Sequence, residues 1–183
     1  MGFWIFLGIL ALVALAGVSL YNRLVGLRNA AESAWSDVDV QLKRRWDLIP
    51  NLVETVKGYA SHEESTFKQV TEMRSRAMAE TSATARADAE NGLTAALRSL
   101  FAVSERYPDL KASANFRDLQ ADLGKVEDAI QNARRYFNAI VRDLNTSCET
   151  FPSNLIANNF GFAKRDYFEL DDEAERSAPA VSF

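Results

Sequence analysis

The chain has 183 residues, a formal charge of −4 and a hydrophobic content of 48%, room for one domain of ordinary size plus a membrane anchor. The charge is uneven: residues 164–183 hold three basic against six acidic side chains. The remainder is close to neutral, which argues against a basic face for nucleic acid.

Gly2 to Tyr21 (GFWIFLGILALVALAGVSLY) is uncharged and long enough to cross about 30 Å of hydrocarbon. Trp4 and Tyr21 stand near its ends, where amphipathic aromatics favour the headgroup layer. Ala14-Leu15-Ala16 offers a cleavage site for a secretory leader, but no lysine or arginine precedes the run as a leader requires, so residues 1–21 are read as an uncleaved anchor. Arg23 and Arg28, then Lys43, Arg44 and Arg45, follow the span. The positive-inside rule therefore puts the rest of the chain in the cytoplasm.

Beyond Asn22 the apolar positions Leu24, Ala31, Trp35, Val38, Leu42, Ile49, Leu52 and Val56 recur in steps of three and four, the signature of a helix with one buried stripe. Arg28 and Arg45 fall on that stripe and need partners or an edge. Pro50 removes a donor and clashes with the carbonyl of Trp46, so a kink is expected there, with Gly58 ending the helix. Ser61 and Glu64 form a capping-box pattern for a second helix carrying Phe67, Val70, Met73 and Ala77. Thr81, Ser82 and Thr84 make a turn. A third helix buries Leu93, Leu97, Leu100, Phe101 and Val103, and Tyr107-Pro108-Asp109 breaks it.

Ser113 caps the longest helix. Phe116, Leu119, Leu123, Val126, Ile130, Ala133, Phe137, Ile140 and Leu144 keep the a/d rhythm without a miss and lead to Phe151. Arg117, Asp118, Gln120, Asp122, Lys125, Glu127, Asp128, Arg134, Arg135 and Arg142 form its expected water-facing back. A helix from Phe116 to Phe151 would be a rod of roughly 54 Å whose stripe other helices must cover. The expected fold is all-α: an N-terminal transmembrane helix, then an antiparallel up-and-down four-helix bundle over 22–151 with long first and last helices. Residues 152–168, rich in aromatics, are expected to cap the open end of the bundle, with lipid-headgroup contact as the alternative. Residues 169–183 read as a flexible acidic tail.

Chemistry is harder to find. His62 has no H-E-x-x-H or E-x-x-H partner, Cys148 has Glu149 beside it where a thiolate wants a cation, and Asp37 and Asp39 point to different sides of a helix. No glycine group forms a phosphate loop, and a lone cysteine permits no internal disulfide. The expectation is a protein without catalysis, metal, cofactor or small-molecule substrate. The block Lys43, Arg44, Arg45, Trp46, Asp47 with Asn51 is the candidate partner-docking patch. Ion pairing with Glu127, Asp128 or Asp122 is the structural alternative for its cations. Arg23, Arg28, Phe160, Phe162, Lys164 and Arg165 are the candidate membrane-proximal residues.

The stretch Tyr21 to Asn29 (YNRLVGLRN), then AWSDVDVQLKRRWDLIPNLVETVKGYASHE from Ala34 to Glu63, YPDL from Tyr107 and ANFRDLQADLGKVEDAIQNARRYFNAIVRDLNTSCETFPSNLIANNFGF from Ala114 resemble the LemA family of bacterial membrane proteins. Phe137 departs from the tyrosine common there. The resemblance implies a one-span inner-membrane protein with a long helical bundle and no assigned enzymatic activity. It also implies similarity to proteins of magnetosome formation and, as a partner, a second membrane protein of the TPM-domain type. The leading expectation is a self-associating scaffold that docks partners. The alternative is a factor acting on lipids or remodelling the bilayer at its surface.

Overall fold

The computed structural model describes residues 1–169; the acidic tail lies outside them apart from Glu169. Among the described residues there are six helices and no strand: α1 (Gly2–Lys57), α2 (Glu64–Ala79), α3 (Ala83–Ser104), α4 (Pro108–Ala112), α5 (Ala114–Glu149) and α6 (Ser153–Phe160). The all-helical expectation holds. The chain clusters into two compact units. The first gathers Met1–Gln41 with Ile130–Tyr167; the second gathers Leu42–Ala129 and, among the described residues, 168–169.

In the first unit, α1 opens with a stretch whose most apolar 18-residue window has mean hydropathy 2.5 and no buried residue. The helix does not break where the apolar run ends. Leu24, Ala31, Ala34 and Val38 are buried, and Leu24 and Ala31 share a core with Leu144 of α5 and Ala157 of α6, edged by Leu27, Ile140, Cys148, Ile156 and Phe162. Trp35 packs on Phe137 with ring centroids 5.2 Å apart, so α1 and α5 run antiparallel here. Exposed phenylalanine, isoleucine and leucine side chains before residue 16 and a dry stripe after residue 23 are two solvents written along one helix.

In the second unit, α1 ends at Gly58, whose N–H still reaches Glu54 O at 3.2 Å while Ala60 N bonds Val56 O at 2.9 Å. This glycine closes the helix without a left-handed turn; among the described residues only Gly161 has positive φ. The capping box does not form. Helix α2 starts at Glu64 with Glu63 at its N-cap and no side-chain cap, so Ser61 lies two residues ahead of the capping position, in a turn where Glu63 N bonds Ala60 O at 3.2 Å. Ser82 does cap α3, accepting from Ala85 N at 3.2 Å. Helix α2 buries Phe67, Val70 and Ala77 against α3, which buries Leu93, Ala96, Leu97, Leu100 and Val103.

The stripe of α5 drifts. Phe116, Leu123, Ile130, Phe137 and Leu144 are buried, but the second column moves from Ala133 and Ile140 to Arg134 and Val141. A straight helix falls behind a strict heptad by about 20° per repeat, so two repeats past Leu119 the inward face has begun to take in the following residue. Arg134, expected on the watery back, is therefore buried. The stripe also stops before Phe151, which is exposed.

Candidate functional site

Two side-chain constellations stand out, one in each unit. In the second unit the docking block divides. Lys43, Arg44, Asp47 and Asn51 are exposed, whereas Arg45 and Trp46 are interior, 1% and 6% accessible. Arg45 sends Nη1 to Glu90 Oε2 at 2.8 Å and Nη2 to Thr94 Oγ1 at 2.8 Å. Its Nε lies 2.8 Å from Glu127 Oε1, an ion pair without hydrogen-bond geometry. Trp46 Nε1 donates to the other oxygen of Glu90 at 2.7 Å, and the Arg86 guanidinium stands 5.8 Å from the Trp46 ring centre. Burial pushes the Glu90 carboxyl above its ordinary range against the pull of Arg45, and burial does the same to Glu127.

Pro50 explains a further contact. It cannot donate to Trp46 O, and Arg74 Nε of α2 takes that acceptor at 2.7 Å, so α1 continues through the proline with its freed carbonyl satisfied. The pairing expected for Arg45 is thus met by Glu127, while Glu90, Thr94 and Arg74 were not anticipated. A signal existed: Arg86 and Glu90 sit at helical spacing with Leu93 and Leu97, on the face that must be dry.

In the first unit the membrane-proximal candidates gather around the end of the apolar run. The Tyr21 ring lies 4.9 Å from that of Phe160 and 5.7 Å from that of Phe162, both edge-on. Gly161 makes this possible. At φ 72° it ends α6 and turns the chain so that Phe162 N bonds Ala157 O at 3.0 Å. Phe162 then lies beneath Arg28, whose guanidinium is 5.4 Å from the ring centre.

Beyond the turn the chain is fastened to α5, where Asn145 Nδ2 donates to Arg165 O and Arg165 N donates to Asn145 Oδ1, each at 2.9 Å. Lys164 pairs with Glu149 and Arg165 with Glu32, each at 2.7 Å. The hydrogen bond to Glu149 holds the Lys164 ammonium above its usual range. Arg28, Leu144 and the segment 161–165 line a cleft of about 200 Å³. Phe151, Leu155 and Phe160 are exposed around α6. Arg23 is exposed and outside the cleft.

Neither constellation carries an activated nucleophile. Burial raises the Cys148 thiol and Glu149 adds to it, so the reactive thiolate is disfavoured. Among the described residues no group of His, Cys, Asp and Glu is arranged to hold a metal ion.

Comparison with known proteins places these features. The chain is 25% identical over 190 residues to the magnetosome protein MamQ of Magnetospirillum gryphiswaldense, covering 88% of this chain and 70% of that one. It is 24% identical over 191 residues to magnetosome protein MamQ 1 of Paramagnetospirillum magneticum, with 89% and 70% covered. It is 26% identical over 137 residues to protein LemA of Metamycoplasma hominis, covering 74% of this chain and 63% of that one. These relatives and the apolar start of α1 point to a membrane-associated protein. The family model matches residues 34–183, and the chain belongs to the LemA family.

Proposed function

We propose that this chain is a membrane-anchored helical scaffold of the bacterial inner membrane that works by contact rather than catalysis. It crosses the bilayer once through α1, exposes an up-down-up-down bundle on the cytoplasmic side and self-associates to dock protein partners. The supporting observation is the continuity of α1. The same helix that leaves its apolar N-terminal stretch wholly exposed buries Leu24, Ala31 and Val38 a few turns later, so whatever holds the first stretch holds the first unit without a flexible joint.

Lys43, Arg44, Asp47 and Asn51, exposed on the outer side of α1 while Arg45 and Trp46 hold the inner side, supply a polar face for a partner. Crosslinking in intact membranes, followed by electron microscopy of the full chain in detergent, tests this. Crosslinked ladders and regular multi-copy particles are expected. A strictly monomeric protein with no crosslinked product refutes it, and a C-terminal reporter active only in the periplasm refutes the orientation.

A further inference from the structure

In the first unit Arg28 is a cation without an acidic partner in a cleft where lipid would supply one. Among the described residues Arg28 makes no ion pair; its recorded contact is the face of Phe162 at 5.4 Å. Its neighbours in the cleft are already committed, Lys164 to Glu149 and Arg165 to Glu32. Those two pairs are neutral as units, so Arg28 leaves the cleft with net positive charge. With the Phe162 ring 5.4 Å from its guanidinium carbon, Arg28 makes no hydrogen bond among the described residues, so its N–H donors remain for a phosphate.

Position selects the ligand. Arg28 lies seven residues past Tyr21, about 10 Å along α1. Side chains of a helix lean toward its N-terminus, which here is the membrane side. The headgroup layer adds roughly 5–8 Å beyond the hydrocarbon on each face, within reach of an arginine that leans back. Tyr21, Phe160 and Phe162 form an aromatic cluster, and Phe151 and Leu155, earlier in the same C-terminal stretch, are exposed, as in segments that lie in the interface.

We propose that the cleft between Arg28, Phe162 and Lys164 is a headgroup site for an anionic phospholipid of the bilayer that α1 crosses, with Arg28 holding the phosphodiester. Lys164 closes the far side and exchanges its exposed bond to Glu149 for the lipid when the site fills. The inference rests on the membrane-spanning reading of α1. Arg23 provides the internal control: it has the same charge and lies about 8 Å nearer the apolar run, but it is roughly 140° around the helix and does not line the cleft.

The test uses the full chain in nanodiscs of mixed phosphatidylcholine and phosphatidylglycerol, with retained lipid counted by native mass spectrometry. Phosphatidylglycerol is expected to be retained in preference to phosphatidylcholine. Arg28→Gln should lower that retention about tenfold, Arg28→Lys should restore part of it, and Arg23→Gln should leave it unchanged. Millimolar inorganic phosphate should not displace the lipid. Equal retention of the two lipids, equal losses in Arg28→Gln and Arg23→Gln, or full displacement by phosphate would each overturn the assignment. Alkaline extraction of the same variants from membranes separates the two layers of the argument. Release of the wild-type chain sinks the membrane reading, whereas a chain that stays embedded without lipid preference sinks only the headgroup site.

Discussion

The buried Arg45–Glu90 pair lends itself to a double-mutant cycle. Glu90→Leu leaves Arg45 Nη1 and Trp46 Nε1 without acceptors, both in a dry setting. An orphaned buried donor costs about 1–3 kcal/mol, and breaking a buried ion pair about 3–5 kcal/mol. Glu127 still faces Arg45 and is itself 38% exposed, which keeps the expected loss near the lower end, about 3 kcal/mol. Arg45→Met leaves Glu90 with Trp46 alone, and its carboxyl, already pushed up by burial, takes a proton, for a loss of about 2–3 kcal/mol. In the double variant Trp46 Nε1 is stranded and Glu127, 38% exposed, loses Arg45 but keeps access to water, while Thr94 keeps its own bond to Glu90 O at 2.9 Å. The double variant should therefore recover at least about 2 kcal/mol relative to the sum of the singles. Thermal unfolding of the full chain in detergent, followed by circular dichroism, reads this out. At about 2–4 °C per kcal/mol for a chain of this size, Glu90→Leu should lower Tm by about 6–12 °C. Losses that add to within about 0.5 kcal/mol would refute the coupling.

Other perturbations probe single contacts. Arg74→Met strands the Trp46 carbonyl that Pro50 cannot serve and should cost about 1–3 kcal/mol; the same change in a Pro50→Ala background should cost about 1 kcal/mol less, measured by Tm. Gly124 is mid-helix and a Cβ there meets nothing within 4 Å, so Gly124→Ala should stabilise α5 by about 0.5–1 kcal/mol. Gly161→Ala meets no atom either, but its φ of +72° imposes about 1–2 kcal/mol, and near-ultraviolet dichroism of the Tyr21 cluster should weaken with it. Burial holds the folded Glu90 carboxyl above its ordinary value of 4.5, and does the same to Glu127. The folded state thus binds more protons than the unfolded one between 4.5 and the raised values, and these groups make the protein more stable as pH falls through that window. Replacing both by glutamine should flatten that part of the Tm-against-pH curve; an unchanged curve would show that the two carboxyls do not set it.

The helices were legible because their signals are local. The uncharged run from Gly2 to Tyr21, the three-four rhythm of α5, Ser82, Pro108 and Ser113 each act within a few residues, and the helices follow them. The misses are non-local. Whether Ser61 caps α2 depended on where the turn after Gly58 placed it. Arg134 went inside because 3.6 residues per turn is not 3.5, a drift visible only over the length of α5. Helix α6 is short, follows Pro152, and owes its place to packing Ala157 on Leu24, Ala31 and Leu144, which no local pattern announces. The candidate site was half legible for the same reason. Arg28, Phe160 and Phe162 were singled out by position alone, but the Gly161 turn that brings Phe162 under Arg28 is a property of the folded chain.

The interior of the second unit also shows why a basic block beside a tryptophan is an ambiguous signal. On a helix, Lys43, Arg44 and Asp47 face away from the side on which Arg45, Ile49 and Leu52 lie, so one run of residues serves two environments. Desolvating the Arg45 guanidinium is costly, and a hydrophobic side chain at that position would pack as well. What the arginine adds is direction: Nη1, Nη2 and Nε each meet a different residue, and a shift of either neighbouring helix by one turn would leave a charge bare. An apolar stripe alone tolerates such a slip, since leucine packs against leucine in several registers. The Arg45–Glu90–Glu127 set therefore fixes how α1, α3 and α5 pair within this unit, and the docking role proposed for the block falls to Lys43, Arg44, Asp47 and Asn51, the residues that water can reach.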